Sequence, residues 1–230
     1  MTFDAPDFRP YFLVFEDLTP HLSEDGRLDC LKLFGNSNPV ELDVGCGRGM
    51  FLFNASTTRS ETNFLGSEVD LHEARRGAKR LLKRVQPNAR VIGGDANYLL
   101  DKLLRPASLA AVHVYFPDPW WKQKHRRRRL FTDLFADRVA RVLQPGGFLH
   151  MWTDVADYFE IVSALMTHHP LFTPLPTPEE RPAAHDLDYT TGFERSRRLA
   201  GLPIHRGQGG VAVSGGSHSA CRVEPKYQSK

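Results

Sequence analysis

The feature that most constrains the fold is the run LAAVHVYF at residues 109 to 116, which is almost continuously apolar. A strand covered by helices on both faces meets no water on either side, so it is apolar along its whole length instead of alternating. The run therefore predicts a central strand of a parallel sheet. Shorter segments of strand character lie at residues 40 to 44, 63 to 69, 89 to 95 and 148 to 154.

Segments with helical spacing of apolar residues separate these strands. Such spacing occurs after Gly49 and over residues 71 to 85, 96 to 104, 127 to 143 and 155 to 169. The alternation over residues 40 to 168 predicts an α/β fold with a doubly wound, mostly parallel sheet and helices on both faces. QPGG (144 to 147) is expected to be a turn, and the proline-rich residues 170 to 186 an irregular connection.

Three regions follow from this pattern. We expect an N-terminal extension at 1–39, one domain at 40–206, and a flexible tail at 207–230, where Gly and Ser are frequent. No apolar run approaches the roughly 20 residues needed to cross a bilayer, and the N-terminus has acids and prolines where a signal peptide has cations and apolar residues. We therefore expect a cytoplasmic protein.

The cysteines and histidines give little support for a metal site. The three cysteines are scattered, and the ten histidines include no H-E-x-x-H pattern. We predict no metal. The net charge of +3 is small, but the basic residues are concentrated in three segments, and local clusters of this kind can bind polyanions. These segments are residues 73 to 84, 122 to 129 and 194 to 198.

Acidic residues lie at the ends of three successive predicted strands. In doubly wound sheets the ligand binds at the carboxyl ends of the strands. The glycine motif has the spacing G-x-G-x-G, unlike the dinucleotide motif G-x-G-x-x-G, and the acid just before it would repel a pyrophosphate but suit a cation. S-adenosylmethionine is a cofactor of this kind, because it carries a sulfonium and an ammonium that acids and backbone carbonyls can hold. The predicted cofactor residues are Asp43, Gly45, Gly47, Glu68, Asp95, Ala96 and, after the next strand, Asp118.

Three of these residues have a specific expected contact with the cofactor. Glu68 is placed to accept ribose hydroxyls, and Asp95 with Ala96 to meet the adenine amino group. The alternative is that the glycines only form a turn and the acids only cap helices, since Asp is a favoured N-cap. Three acids at three strand ends favour the cofactor site.

The segment FPDPWWKQKHRRRR (116 to 129) follows the central strand. Pro117 and Pro119 fix the backbone around Asp118. A run of charge is most often a solvated face, but arginines at the start of a helix oppose its dipole, and a bound polyanion would offset that cost. We therefore expect phosphate contacts from part of this run. Trp120 is expected to pack, and the role of Trp121 is left open between packing and stacking on a base.

These residues also resemble a known family. FPDPW, then KQKHRRRRL, LQPGGFLHMWTD and TGFE (191 to 194), in this order, resemble the tRNA (guanine-N7-)-methyltransferases over about residues 40 to 195. The resemblance implies a Rossmann-like methyltransferase sheet, S-adenosylmethionine as cofactor and tRNA as partner, with a guanine of the variable loop as target.

The resemblance also assigns residues. Asp43, Glu68 and Asp95 match the family's cofactor-binding acids, and Asp118 matches the acid between cofactor and base. The substrate-binding positions are Lys122, His125 and Arg128 in the basic run, together with Asp154, Thr191 and Glu194. The chain departs from the family at Asp43, where Glu is usual, at Gly192, where a basic residue is common, and after Arg195, where the closing strand sequence is missing.

The chemistry of guanine supports a specific role for Asp118. N7 of guanine has a free lone pair, so no base must remove a proton, and positive charge develops on the purine as the methyl group arrives. A carboxylate can stabilise that charge and orient the base. We therefore predict Asp118 to be catalytic. The alternatives are a noncatalytic tRNA-binding module and a small-molecule methyltransferase, while the glycine spacing disfavours a nicotinamide-dependent enzyme.

Overall fold

The computed structural model describes residues 7–120, 129–180, 182–185 and 188–212. In this part of the chain eight strands form one sheet, in the order β1-β4-β3-β2-β5-β6-β8-β7. The strands are β1 Phe12–Val14, β2 Val40–Val44, β3 Asn63–Glu68, β4 Ala89–Gly93, β5 Leu109–Tyr115, β6 Leu143–Thr153, β7 Phe172–Pro174 and β8 His205–Val211. The helices are α1 Cys30–Phe34, α2 Met50–Thr58, α3 Leu71–Leu82, α4 Ala96–Tyr98, α5 Asp133–Val142, α6 Ala156–His168 and α7 Gly192–Leu199.

The predicted fold class is confirmed. Strand β5 lies between β2 and β6 and is parallel to both, as its apolar sequence predicts. From β2 the chain builds outward through β3 to β4, and from β5 it builds in the opposite direction to β6. The strand order therefore reverses between β2 and β5, and a crevice at the carboxyl ends of these two strands is where such sheets bind ligands.

Two apolar clusters, one on each face of the sheet, form the core. One contains side chains of α2 and α3, and the other contains side chains of α1, α5 and α6. Gly66 in β3 allows α2 to approach the sheet closely, because a Cβ at this position would lie 2.4 Å from Cδ1 of Leu52. None of the described helices is long and apolar enough to cross a membrane.

Helix α5 is shorter than its periodicity predicts. It begins at Asp133, where the N-cap Thr132 accepts a hydrogen bond from the Phe135 N–H at 3.2 Å. Arg129 precedes this cap, so the dipole cost that we assigned to arginines at a helix start does not apply to it. Residues 121 to 128, with Trp121 and most of the basic run, lie outside the described residues.

The predicted turn at QPGG is also different in the structure. Residues 144 to 147 lie within β6, where the register with β5 jumps from Leu109 opposite Leu143 to Ala111 opposite Phe148. The extra residues form a bulge, and Gly146 takes a φ of 79° there. Within residues 170 to 186, which we predicted to be an irregular connection, Phe172–Pro174 form the short strand β7 at the edge of the sheet.

The prediction of a flexible tail from Gly207 is wrong for the first residues of that tail, which belong to β8. Strand β8 runs antiparallel to β6, with Gly207 opposite Met151 and Gly210 opposite Phe148. Glycine is a poor strand former, but side chains from other elements occupy the space beside the glycines of β8. A Cβ on Gly209, for example, would lie 3.1 Å from Met166 Cε. Residues 213 to 230 of the predicted tail lie outside the described residues. At the other terminus, β1 of the predicted extension pairs with β4.

Candidate active site

The glycine motif forms a tight turn between β2 and α2. Gly45, Gly47 and Gly49 have φ values of 74°, 51° and 63°, a region that other residues adopt only with strain. The N–H groups of Gly45 and Cys46 donate to the carbonyl of Ser67 at 2.8 and 3.0 Å, which ties the turn to the end of β3. The motif is therefore required by the backbone conformation, as its sequence predicts.

A second glycine contact holds this turn against α3. A Cβ on Gly77 would lie 3.3 Å from the backbone of Gly47, Arg48 and Gly49. Glycine inside a helix costs about 1 kcal/mol relative to alanine, so its presence here reflects close approach of two backbones. Sequence reasoning missed Gly77, although an isolated glycine within an amphipathic helix was the available signal.

Glu68 and Asp95 serve different local roles at neighbouring strand ends. The Glu68 carboxylate accepts the Gly47 N–H and the Asp70 N–H, both at 2.9 Å. Asp70, and not Glu68, caps α3. Asp95 does cap a helix, accepting the Asn97 N–H at 2.8 Å. Each carboxylate has about four acceptor positions, so both retain capacity for a ligand.

Asp43 is the buried acid of the site, only 3% exposed. Burial, and to a lesser extent the charge of Glu68, raise the pKa of Asp43 to about 8. Cys46 is buried beside it, and burial raises the pKa of its thiol well above the ordinary value, so this cysteine is unreactive. A carboxyl group poised near neutral pH can ionise when a cation approaches it.

The Pro-Asp-Pro corner begins directly after β5. Phe116 and Trp120, on either side of it, have positive φ values of 53° and 43°. Such backbone costs about 1–3 kcal/mol per residue and persists only where the surroundings impose it. The Phe116 N–H donates to the Trp152 carbonyl at 2.7 Å, and Arg129 Nε donates to the Pro119 carbonyl at 2.9 Å. These bonds hold the corner with Asp118 exposed at its tip.

A cleft of about 850 Å³, including its open mouth, lies at the switch in strand order. We call it the cofactor cleft. Trp120, which we expected to pack, is half-buried on its wall. The cleft brings together five of the sequence-predicted residues, which come from four strand ends: Gly45, Glu68, Asp95, Ala96 and Asp118.

A second hollow of about 1130 Å³, which we call the side groove, adjoins this cleft. The two share Gly45, Tyr115 and Phe116 as lining residues. Three further predicted residues line the side groove: Asp43, Gly47 and Thr191.

The remaining described substrate positions lie around α7. Thr191 caps this helix and accepts the Glu194 N–H at 3.0 Å, and Asp154 pairs with Arg197 Nε at 3.0 Å. Glu194 is buried, accepts the Thr190 N–H at 2.6 Å, and lies 3.4 Å from Arg206 of β8. It lines a third, polar hollow beside the side groove. Lys122, His125 and Arg128 lie outside the described residues.

A buried polar chain leads to the centre of the site and was missed from the sequence. His113 Nε2 lies 2.8 Å from Glu41 Oε2, and its Nδ1 lies 2.9 Å from the Tyr115 hydroxyl. Burial lowers the pKa of His113, so the ring is neutral, donates to Glu41 and accepts from Tyr115. Tyr115 lines all three hollows. The signal was the alternation His-x-Tyr, which places both polar residues on one face of β5.

Among the described residues, no group of three or more His, Cys, Asp or Glu side chains could hold a metal ion.

Comparison with known proteins agrees with this geometry. Residues 37–206 match a family model described as "Putative methyltransferase". The tRNA (guanine-N(7)-)-methyltransferase of Rhodopirellula baltica is 43% identical over 180 residues, covering 76% of this chain and 66% of that protein. The enzyme of the same name from Sodalis glossinidius is 38% identical over 180 residues, covering 75% of this chain and 72% of that protein. The Streptomyces coelicolor protein of this name is 40% identical, and 63% of it is covered. The chain thus spans less than two thirds of some of these relatives.

Solved structures show the same fold. The 16S rRNA methyltransferase KamB superposes with a TM-score of 0.60 at 14% identity, over 83% of this chain and 94% of that one. A SAM-dependent methyltransferase from Aquifex aeolicus gives 0.53 at 13% identity, over 85% of this chain and 93% of that one. With this fold, the family-model match and the identity to the Sodalis protein, the chain belongs to the family of tRNA (guanine-N(7)-)-methyltransferases.

Proposed function

We propose that this chain transfers the methyl group of S-adenosylmethionine to N7 of a guanine in tRNA. The observation that carries the proposal is the position of Asp118, which lines the same cleft as Gly45, Glu68 and Asp95. The acid assigned to the target base is thus beside the residues assigned to the cofactor. The relatives' names, which specify this activity, support the same reaction.

The cofactor cleft fits S-adenosylmethionine by its donor set. Carboxylates of Glu68, Asp95 and Asp118 line it, which suits a ligand with hydroxyl, amino and cationic groups. A Cβ on Gly45 would meet no atom within 4 Å, so the backbone of the turn is open to close approach by a ligand. We assign Glu68 to the ribose, Asp95 and Ala96 to the adenine, and Asp43 with Gly47 to the methionine end. When bound, the cofactor supplies a methyl group on a positively charged sulfur.

The chain's own contribution is orientation and electrostatics. Asp118 accepts N–H groups on the Watson–Crick edge of the guanine and so directs N7 toward the cofactor cleft. Its charge also stabilises the positive charge that develops on the purine. The backbone around Asp118 is fixed in advance by two prolines and the hydrogen bonds of the corner, so little reorganisation is needed during transfer.

The basic run and the residues of α7 complete the proposed substrate site. Lys122, His125 and Arg128 are proposed to contact phosphates, which adds affinity without reading sequence. Asp154, Thr191 and Glu194 are proposed to contact the substrate near the target nucleotide. We propose that the reaction takes place in the cytoplasm.

The test is a methyl-transfer assay with labelled S-adenosylmethionine and unmodified tRNA, followed by nucleoside analysis. We expect label in 7-methylguanosine. Label in another nucleoside would contradict the assigned product. Titration calorimetry with S-adenosylmethionine separates this function from that of a noncatalytic tRNA-binding module, for which we expect no cofactor binding. The intact cofactor cleft favours the enzyme.

A further inference from the structure

The side groove has a cationic wall that the proposed cofactor and base contacts do not use. Arg48 of the glycine turn and Arg80 of α3 both line the groove. Arg76 lies one helical turn before Arg80. Glu73 is the shared partner of two of them, with its carboxylate 2.5 Å from Arg48 Nε and 3.4 Å from an Arg76 terminal nitrogen. Two of the three guanidinium groups therefore share one carboxylate.

Arg80 is the cation left over from this arrangement. Within the described residues it has no ion pair or hydrogen bond with a carboxylate, although it is half-buried. Burial, followed by the charges of Arg48 and Arg76, lowers the pKa of its guanidinium, which still remains protonated. A partly desolvated cation beside two others is a costly arrangement without an anion.

The lining of the groove also contains aromatic and hydroxyl groups. The ring centroid of Phe193, at the start of α7, lies 4.7 Å from that of Phe116, with the two rings tilted by 45°, and Phe193 is 44% exposed. Thr191 and Ser196 add hydroxyl groups. Guanidinium groups, aromatic rings and hydroxyls lining one groove form the combination that binds a single-stranded nucleotide, through its phosphate and its base.

The position of the groove indicates which anion pairs with Arg80. It joins the cofactor cleft at Gly45, Tyr115 and Phe116, so its ligand lies next to the site of methyl transfer. We propose that the part of the side groove lined by Arg48, Arg80 and Phe193 binds the nucleotide adjacent to the target guanine, with Arg80 and Arg48 on the phosphodiester. This inference rests on the proposed function, because it takes tRNA as the substrate.

The experiment compares Arg80→Gln with Arg84→Gln, a matched loss of one charge on an exposed arginine just beyond α3 that does not line the groove. The dissociation constant for unmodified tRNA is measured at several salt concentrations between about 50 and 200 mM. We expect Arg80→Gln to weaken binding several-fold at low salt and to reduce the log–log salt slope by about 0.7 to 0.9, one phosphate contact. Arg84→Gln should change the slope much less. Equal slopes for the two variants would overturn the proposal.

The carboxylate of the cofactor is the competing anion. Calorimetry with S-adenosylmethionine should therefore give the same affinity for Arg80→Gln as for the wild type. A large loss of cofactor affinity with unchanged tRNA binding would show that Arg80 binds the cofactor and would overturn the inference. Repeating the salt series with a short oligouridylate tests the groove independently of methyl transfer, so a chain that does not methylate tRNA still gives a result for Arg80.

Discussion

At the scale of single residues, the site combines an exposed acid with a buried one. Asp118 is exposed at the tip of a fixed corner, whereas Asp43 is enclosed below the glycine turn. Their different surroundings lead to different expectations: we expect Asp118 to act on a substrate that reaches the exposed corner, and Asp43 to act through a charge that depends on pH and on the ligand.

Replacing Asp118 with Asn keeps the shape of the side chain and removes its charge. We expect kcat for methyl transfer to fall about 100-fold, because the charge developing on the purine loses its stabilising partner. Filter binding should show nearly unchanged tRNA affinity. Asp157→Asn, at an exposed acid in the first turn of α6, is the control. Wild-type turnover in Asp118→Asn would refute the electrostatic role.

The raised pKa of Asp43 predicts a pH-dependent stability. The folded protein keeps a proton on this carboxyl up to about pH 8, whereas the unfolded chain loses it at the ordinary pKa of 3.8. Stability of the ligand-free protein should therefore fall as pH rises through this window and level off above it. Asp43→Asn removes this contribution. The melting temperature of the variant should thus exceed that of the wild type by a margin that grows with pH. Parallel curves of melting temperature against pH for the two proteins would exclude a raised pKa at Asp43.

At the scale of elements, the ends of helices and the contacts between their backbones position the site. In α3, Gly77 packs against the glycine turn, and α5 begins at the N-cap Thr132, soon after the basic run. The start of α5 depends on local sequence, since a cap needs only a side chain and the next three residues. The packing of Gly77 depends instead on a contact between residues that are about 30 positions apart.

Gly77→Ala should weaken cofactor binding while leaving the protein folded. The added Cβ would lie 3.3 Å from the backbone of the glycine turn, so the turn must shift by a few tenths of an ångström. We expect the S-adenosylmethionine dissociation constant to rise about tenfold, equivalent to ~1.4 kcal/mol. His72→Ala, exposed on the same helix, also raises helix propensity and should leave affinity unchanged. Equal affinities in both variants would show that the turn tolerates the shift.

Thr132→Ala tests the start of α5. Loss of the hydroxyl that accepts the Phe135 N–H should lower the free energy of unfolding by about 1 kcal/mol. Thr132→Ser retains a capping hydroxyl and should behave like the wild type. Urea unfolding measures both, with a shifted midpoint and an unchanged slope. An unshifted midpoint in Thr132→Ala would place the start of the helix elsewhere.

At the scale of the whole molecule, the last strand ties the end of the domain to α7. Arg206 of β8 is buried, lies 2.8 Å from Glu180 and 3.4 Å from Glu194, and sits over the Trp152 ring at 4.8 Å. These contacts join the strand and α7 to β6 in the sheet. The predicted substrate residue Glu194 therefore has its position set by β8.

Arg206→Met should destabilise the protein by about 3 kcal/mol, because it removes the buried guanidinium beside Glu194 and leaves that carboxylate with Arg198 alone, at 3.3 Å. Adding Glu194→Gln removes the charge that has lost one of its two partners, so the double variant should regain part of the loss. Thermal or urea unfolding of all four proteins gives the coupling energy. Strict additivity of the two single changes would mean that the pair is not coupled.

The sequence by itself determined the alternation of strands and helices, the glycine turn, the acids at the strand ends and the proline-fixed corner. These features depend on apolar periodicity and turn chemistry, which act over a few neighbouring residues. Five of the predicted residues met in one cleft because the carboxyl ends of parallel strands share one edge of the sheet. Only the tertiary structure decided that the glycine-rich β8 joins the sheet, that Asp43 is buried, that Gly77 touches the turn and that Glu41, His113 and Tyr115 form a chain. Each of these depends on side chains and backbone from distant parts of the sequence, whose proximity no local pattern records.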